Sequence, residues 1–196
     1  MIDLTHARQQ VVDGGLVIKA ARLTPFLNGP EQLVKRIGTR HRIKVQMPPM
    51  MIESEGRRWI SRLIAANQEG GFVAYPQVDF QVGAPGSPTV PTETVGGMLL
   101  PITGGAAHYA IREGQALHIE SAGRRYFYFA REQVILDASG AGVVKLDVPM
   151  RKVASPGDKV ELARPVIEGW IDGDGWGWTL ETNRTTGLGF SITERA

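Results

Sequence analysis

The chain contains no cysteine, which excludes a disulfide framework, a thiol nucleophile and a thiolate metal site. It has almost no net charge: 22 basic and 20 acidic residues leave +2, so the broad basic footprint of a nucleic-acid-binding protein is missing. It has no apolar run approaching the length of a membrane span. The stretch around Met98 to Ala107 is broken by Pro101, Gly104 and Gly105, and no membrane insertion is expected. The opening residues, Met1 to Gln10, lack the basic-then-apolar pattern of a secretory signal, which points to a chain that starts in the cytoplasm. The Asn183-x-Thr185 sequence then carries no glycosylation argument.

The common chemical signatures are also missing. There is no Gly-x-x-x-x-Gly-Lys phosphate loop, no Gly-x-Gly-x-x-Gly dinucleotide turn and no Gly-x-Ser-x-Gly elbow. The four histidines, at 6, 41, 108 and 118, show no ligand spacing. His118 sits in an alternating stretch and reads as a hydrogen-bonded structural histidine. Asp172-Gly173-Asp174-Gly175 begins like a calcium loop, but its twelfth position is Asn183 instead of glutamate, which leaves a solvated turn. No catalytic constellation assembles and no cofactor is implied.

What is present is a globular composition. The 196 residues make one large domain or two small ones, and 42% of them are hydrophobic, enough for a core. Glycine (24) and proline (12) are in excess, which favours many short strands joined by turns. Leu16-Val17-Ile18 is a short strand. From Arg40 to Met47 the residues alternate, with Ile43, Val45 and Met47 on one face, the period of a half-buried strand that Pro48-Pro49 ends. A helix follows, with Ser54 as its expected N-cap, an apolar stripe of Trp59, Ile60, Leu63 and Ile64, and a stop at Gly70-Gly71. Trp59 is expected to be its largest anchor on a sheet.

Further strands are read at Phe72–Tyr75 and Val78–Val82. Gly83 to Gly97, stiffened by Pro85, Pro88 and Pro91, reads as a loop or domain crossing. From Met98 to Ala163 short strands recur with turns at Asp137–Gly140 and Pro156-Gly157-Asp158, the texture of a small barrel or sandwich. The tail, Val166 to Ile192, holds two or three strands with Trp170, Trp176, Trp178 and Phe190.

Tyr126, Phe127, Tyr128 and Phe129 are consecutive, so a strand must present two of them on each face. One pair is expected in the domain core and the other under a neighbouring subunit, making these four, with Trp59, the structural and interface candidates. A second reading is a carbohydrate-binding module, of a tail-tip or a secreted protein, that stacks sugars on Trp176, Trp178 or Tyr126. A cell-wall hydrolase would need a pair of carboxylates spaced for acid–base work, and no such pair can be named. Charge is uneven along the chain: residues 1–82 carry 11 basic and 7 acidic groups, 83–167 carry 9 and 8, and 168–196 carry 2 and 5.

Two blocks carry a resemblance. The first runs from Gly38-Thr-Arg-His-Arg-Ile-Lys-Val-Gln-Met-Pro-Pro49 through the helix to Gly70-Gly71-Phe72. It continues with Tyr75, Asp79 and Phe80 to Gly83-Ala-Pro-Gly-Ser-Pro-Thr-Val90. The second holds Ile111-Arg-Glu-Gly-Gln115, Arg125-Tyr-Phe-Tyr128, Asp137-Ala-Ser-Gly140, Pro149-Met-Arg151 and Pro165. Together they resemble the distal tail proteins of long-tailed bacteriophages, over most of the chain, with Gly114-Gln115 departing from the Gly-Asp of the pattern.

The resemblance implies a mainly β protein. A tail-tube-like sandwich or barrel with one α-helix would be built from residues 1–82 and 166–196, and residues 83–165 would form an inserted barrel of the oligonucleotide/oligosaccharide-binding type. It implies a structural virion protein without enzymatic activity, six copies of which ring the end of the tail tube and join it to the tail-tip hub and baseplate. The implied partners are copies of itself, the tail tube protein, the hub or baseplate protein and the tape measure protein. DNA would pass through the lumen without specific binding, and Asp172, Asp174 and Glu181 are the lumen candidates. The implied location is the tail tip of the virion, with assembly in the host cytoplasm.

Overall fold

The alternating segment ahead of Pro48 forms a strand whose burial follows its sequence: His41, Ile43, Val45 and Met47 are buried, while Arg42, Lys44 and Gln46 are exposed. The computed structural model describes residues 1–24, 29–35, 38–171, 177–181 and 184–195. In chain order the first elements are β1 (Ile2–Asp3), β2 (Val11–Val17), β3 (Ala20–Leu23), β4 (Gln32–Lys35), β5 (Arg40–Gln46), β6 (Met50–Met51), α1 (Arg57–Glu69) and β7 (Gly71–Ala74). Then come β8 (Gly86–Thr89), β9 (Leu99–Gly105), β10 (Ala110–Ile111), β11 (Ala116–Ser121), β12 (Arg124–Phe129), β13 (Val134–Ile135), β14 (Gly142–Lys145) and β15 (Lys159–Glu161). The last are β16 (Val166–Ile171), β17 (Thr185–Thr186) and β18 (Gly189–Glu194). The fold is mainly β, and α1 is the single α-helix among the described residues.

Two six-stranded sheets organise the chain. The first runs β1-β7-β16-β18-β5-β2 and unites both ends of the sequence. Helix α1 covers it, because Trp59, Leu63 and Ala66 fall on one face and bury against Leu4, Val73, Ile167 and Ile192. A buried side chain of this size contributes about 1.5–3 kcal/mol, so this stripe holds the helix more firmly than its end does. The expected N-cap at Ser54 is not used. Ser54 lies in a π-helical turn over Ile52–Gly56, and the position before the helix is Gly56, which makes no side-chain cap. Close packing sets the entry: a Cβ on Gly56 would lie 2.9 Å from Thr186 Cγ2.

The second sheet runs β12-β11-β15-β8-β9-β14 and curls until its borders approach. They meet at one bridge, Ala130 with Leu146, flanked by hydrogen bonds from Arg131 N to Lys145 O (2.7 Å) and from Asp147 N to Phe129 O (3.0 Å). Its interior holds a second core that includes Leu100, Ile119, Tyr128, Val144 and Leu146. Strand β8 falls inside the stretch read from sequence as a crossing. Its pairing with β9 shifts register between Gly86 and Thr89, and such an irregularity accommodates Pro88, which has no N–H to give a ladder. The strand expected at Val78–Val82 does not form. Val78 and Asp79 make a turn in which Asp79 has φ +54°, a left-handed conformation that interrupts extended backbone.

Candidate functional site

The outer strands of a sheet expose rows of unpaired backbone groups, and the long outer strands of the two sheets, β12 of the second and β2 of the first, are treated in opposite ways. Among the described residues, strand β12 pairs along its length with β11 alone. On its free side, the alternate amides of Arg125, Phe127 and Phe129 each donate to a carboxylate. Arg125 N reaches Glu168 Oε2 at 3.3 Å, Phe127 N reaches Glu194 Oε1 at 2.8 Å, and Phe129 N reaches Asp147 Oδ1 at 2.9 Å. Glu168 comes from β16 and Glu194 from β18, so the first sheet supplies two of the three caps. The barrel is thereby bound to the body formed by the chain ends.

Each carboxylate has a cation. Arg125 Nη1 lies 3.2 Å from Glu168 Oε2. Arg151 Nη2 donates to Glu194 Oε1, and Arg151 Nη1 to Thr39 O at 3.1 Å. His41 stands between the other two, with Nδ1 3.2 Å from Glu194 Oε2 and Nε2 2.7 Å from Asp147 Oδ2. The side chains of His41, Arg151 and Glu194 are 5%, 5% and 1% exposed, so water screens these charges little. Burial pushes the His41 imidazole down, but its hydrogen bonds to Asp147 and Glu194 outweigh that and raise it to about 9. His118 shows the reverse. Burial, against the pull of Glu161, brings it down to about 4, and its neutral Nδ1 accepts a hydrogen bond from Val166 N at 3.0 Å.

The other border, β2, has no such covering. It pairs with β5 from Val11–Gln46 to Val17–Arg40 and with no other strand among the described residues. Over seven residues it holds no proline and a single charge, Asp13, which are the usual devices against edge pairing. Val11, Leu16 and the adjoining Ile18 are 50%, 46% and 66% exposed. Gly14 and Gly15 leave its middle bare of side chains. Beyond it the chain continues into β3 and β4, a two-stranded ribbon paired in the register Ala20–Lys35 to Leu23–Gln32 with no third strand among the described residues. Residues 11–46 carry seven basic and two acidic groups, so border and ribbon together are cationic.

The aromatic run is divided by this arrangement. Tyr126 and Tyr128 face the barrel core, with Arg151 N donating to Tyr128 Oη at 3.1 Å. Phe127 and Phe129 face the first body, where they meet Tyr75 and His41 at ring distances of 5.0 to 5.5 Å. The expectation that a neighbouring subunit covers this second face is corrected: the chain's own β5, β18 and Tyr75 cover it. Tyr126 is 8% exposed, so its own ring offers no open face for stacking a sugar. Trp59 is buried in the first core and Trp178 is 43% exposed. Asp172, Asp174 and Trp176 lie outside the described residues. Glu181 is exposed and accepts from Thr185 Oγ1 at 3.1 Å.

Sequence reading missed the three capping carboxylates, since isolated acids have no local signature. It also missed the pairing of β2 with β5, because β3 and β4 lie between the two strands in sequence and no short turn links them. Among the described residues no helix is long and apolar enough to cross a membrane, and no group of three or more His, Asp or Glu is placed to hold a metal ion.

The resemblance read from the sequence finds no counterpart in wider comparison: no protein-family model matches the chain, and no curated protein matches it. The class is therefore one of architecture, a mainly β protein of two six-stranded sheets in which β12 is capped by carboxylates and β2 has no outer neighbour among the described residues.

Proposed function

We propose that this chain is a structural virion protein that rings the distal end of a phage tail tube and joins it to the tail-tip hub and baseplate. The observation that carries the reading is the contrast between borders: β12 is capped by Glu168, Glu194 and Asp147, whereas β2 is long and no described residue pairs with its outer side. A bare border is completed by a strand from another chain, and head-to-tail pairing that closes produces a ring. The opposite border of the same sheet is β1, only two residues long, so the two sides of the sheet are unlike, as a head-to-tail contact requires.

In this reading the partners are copies of the chain, six by the resemblance, with the tube protein on one side, the hub or baseplate on the other and the tape measure protein inside. DNA passes through the lumen without base readout, and the role requires no catalysis. The protein resides at the tail tip after assembly in the host cytoplasm. Immunogold labelling of tailed particles made from the genome that encodes this chain tests it. The expected label sits at the tube end distal to the capsid. Particles with complete tails and no label contradict it. A Val11→Lys/Leu16→Lys variant, which puts charges on the border, is expected to fold and to remain outside the particles.

A further inference from the structure

Beside the carboxylate-capped junction, the first body and the barrel leave a cleft. Three adjoining cavities of about 420, 360 and 540 Å³ occupy it, and Tyr75 lines all three. Each is within the size range of small-molecule sites, roughly 300–1,000 Å³. We propose that the first of them is a binding site for a neutral saccharide.

The walls of the cavity select the ligand. No described side chain that lines this cavity carries a charge, so these walls offer no ion pair to a phosphate, a carboxylate or an ammonium group. It offers three amides, Gln9, Gln10 and Gln77, and three rings, Tyr75, Phe80 and Phe129. Amides both donate and accept, which matches a hydroxyl that does both. The C–H face of a sugar ring lies well on an aromatic face. Gln77 is the sharpest feature. Its Nε2 is committed to Leu162 O at 3.1 Å and Ala163 O at 3.4 Å, and its Oε1 is buried without a partner. A buried acceptor in that state is an exception in a folded chain, on a side chain that lines the cavity.

The remaining groups are held ready. Gln9 Nε2 donates to Ala74 O at 2.8 Å, which fixes that side chain at the rim. Phe80 lies under the Arg112 guanidinium at 5.2 Å, and Phe129 meets Phe127 edge-on at 5.0 Å. Tyr75 Oη makes no hydrogen bond with a described residue, and burial pushes its hydroxyl up, so it remains a donor at neutral pH. A site whose rings and amides are already held loses little freedom when it binds. The cleft does not depend on the ring: a chain that never assembles still has it.

The test titrates the full chain, observed through its glutamine side-chain amides by two-dimensional NMR. The probes are cellobiose, lactose and N,N′-diacetylchitobiose, with tetra-alanine as a neutral peptide. The expected result is that at least one disaccharide shifts the amides of Gln77 and Gln9 and tetra-alanine does not. In Tyr75→Phe, which keeps the ring, affinity is expected to fall roughly three- to tenfold, the worth of one hydrogen bond, with an unchanged thermal midpoint. In Gln77→Leu it is expected to fall at least as far. Three silent sugars, a response to the peptide alone, or an affinity in both variants equal to that of the unaltered chain would overturn the proposal.

Discussion

Two histidines at the same junction titrate in opposite directions, and together they set how stability depends on pH. His41 binds its proton more tightly in the folded chain, from an ordinary 6.5 to about 9. Its contribution is complete below pH 6.5 and is lost as pH rises through 9. His118 binds its proton less tightly, from 6.5 to about 4. Its neutral form costs nothing above pH 6.5, but as pH falls toward 4 the unfolded chain takes up a proton that the folded chain refuses, and stability declines. At about 1.4 kcal/mol for each tenfold change in proton affinity, each limb is worth about 3 kcal/mol. Stability should therefore peak near pH 6.5 and fall on both sides. Urea denaturation from pH 4.5 to 9.5, read as the midpoint at constant slope, measures this. His41→Gln should flatten the alkaline limb and leave the acid limb, and His118→Gln should do the reverse. An alkaline limb that persists undiminished in His41→Gln would refute the assignment of the charged bridge between Asp147 and Glu194.

Two further outcomes follow from the same packing. Trp59→Ala removes the largest side chain of α1 from the first core, where Trp59 is 9% exposed, and should cost about 3–5 kcal/mol by calorimetry. Glu194→Gln leaves His41 with one carboxylate, Asp147, and removes the carboxylate that Arg151 pairs with. It should cost about 3–5 kcal/mol at pH 6.5, and the alkaline limb of the stability curve should shift to lower pH.

The parts of this fold that could be read in advance are those whose signal is local. The alternation of Ile43, Val45 and Met47 marked β5, and the stripe of Trp59 and Leu63 marked α1, because burial on one face repeats at the period of the element. Gly70 ended the helix as read, with φ +76° and its N–H on Ala66 O at 2.8 Å. Where the determinant lay elsewhere in the chain, the reading failed. Pro88 looked like loop because the irregular pairing that tolerates it depends on β9 and β15. The second face of Phe127 and Phe129 invited a foreign partner because Tyr75 and His41, which cover it, are more than 50 residues away in sequence. Glu168, Glu194 and Asp147 became visible as a set only when β12 brought their targets into one row. The candidate border β2 was half legible: Leu16 to Ile18 showed as extended chain, while its lack of a neighbour is a property of the whole sheet.

The proposed ring requires β2 to be a border left open for another copy of the chain. Native mass spectrometry of the purified protein across concentration, with the Val11→Lys/Leu16→Lys variant alongside, tests it most directly. The expected spectrum shows a closed multiple of the 21.4 kDa chain, six by the resemblance, that the variant loses while keeping its fold. A 21.4 kDa species at every concentration, or an oligomer that the two lysines leave intact, would contradict it.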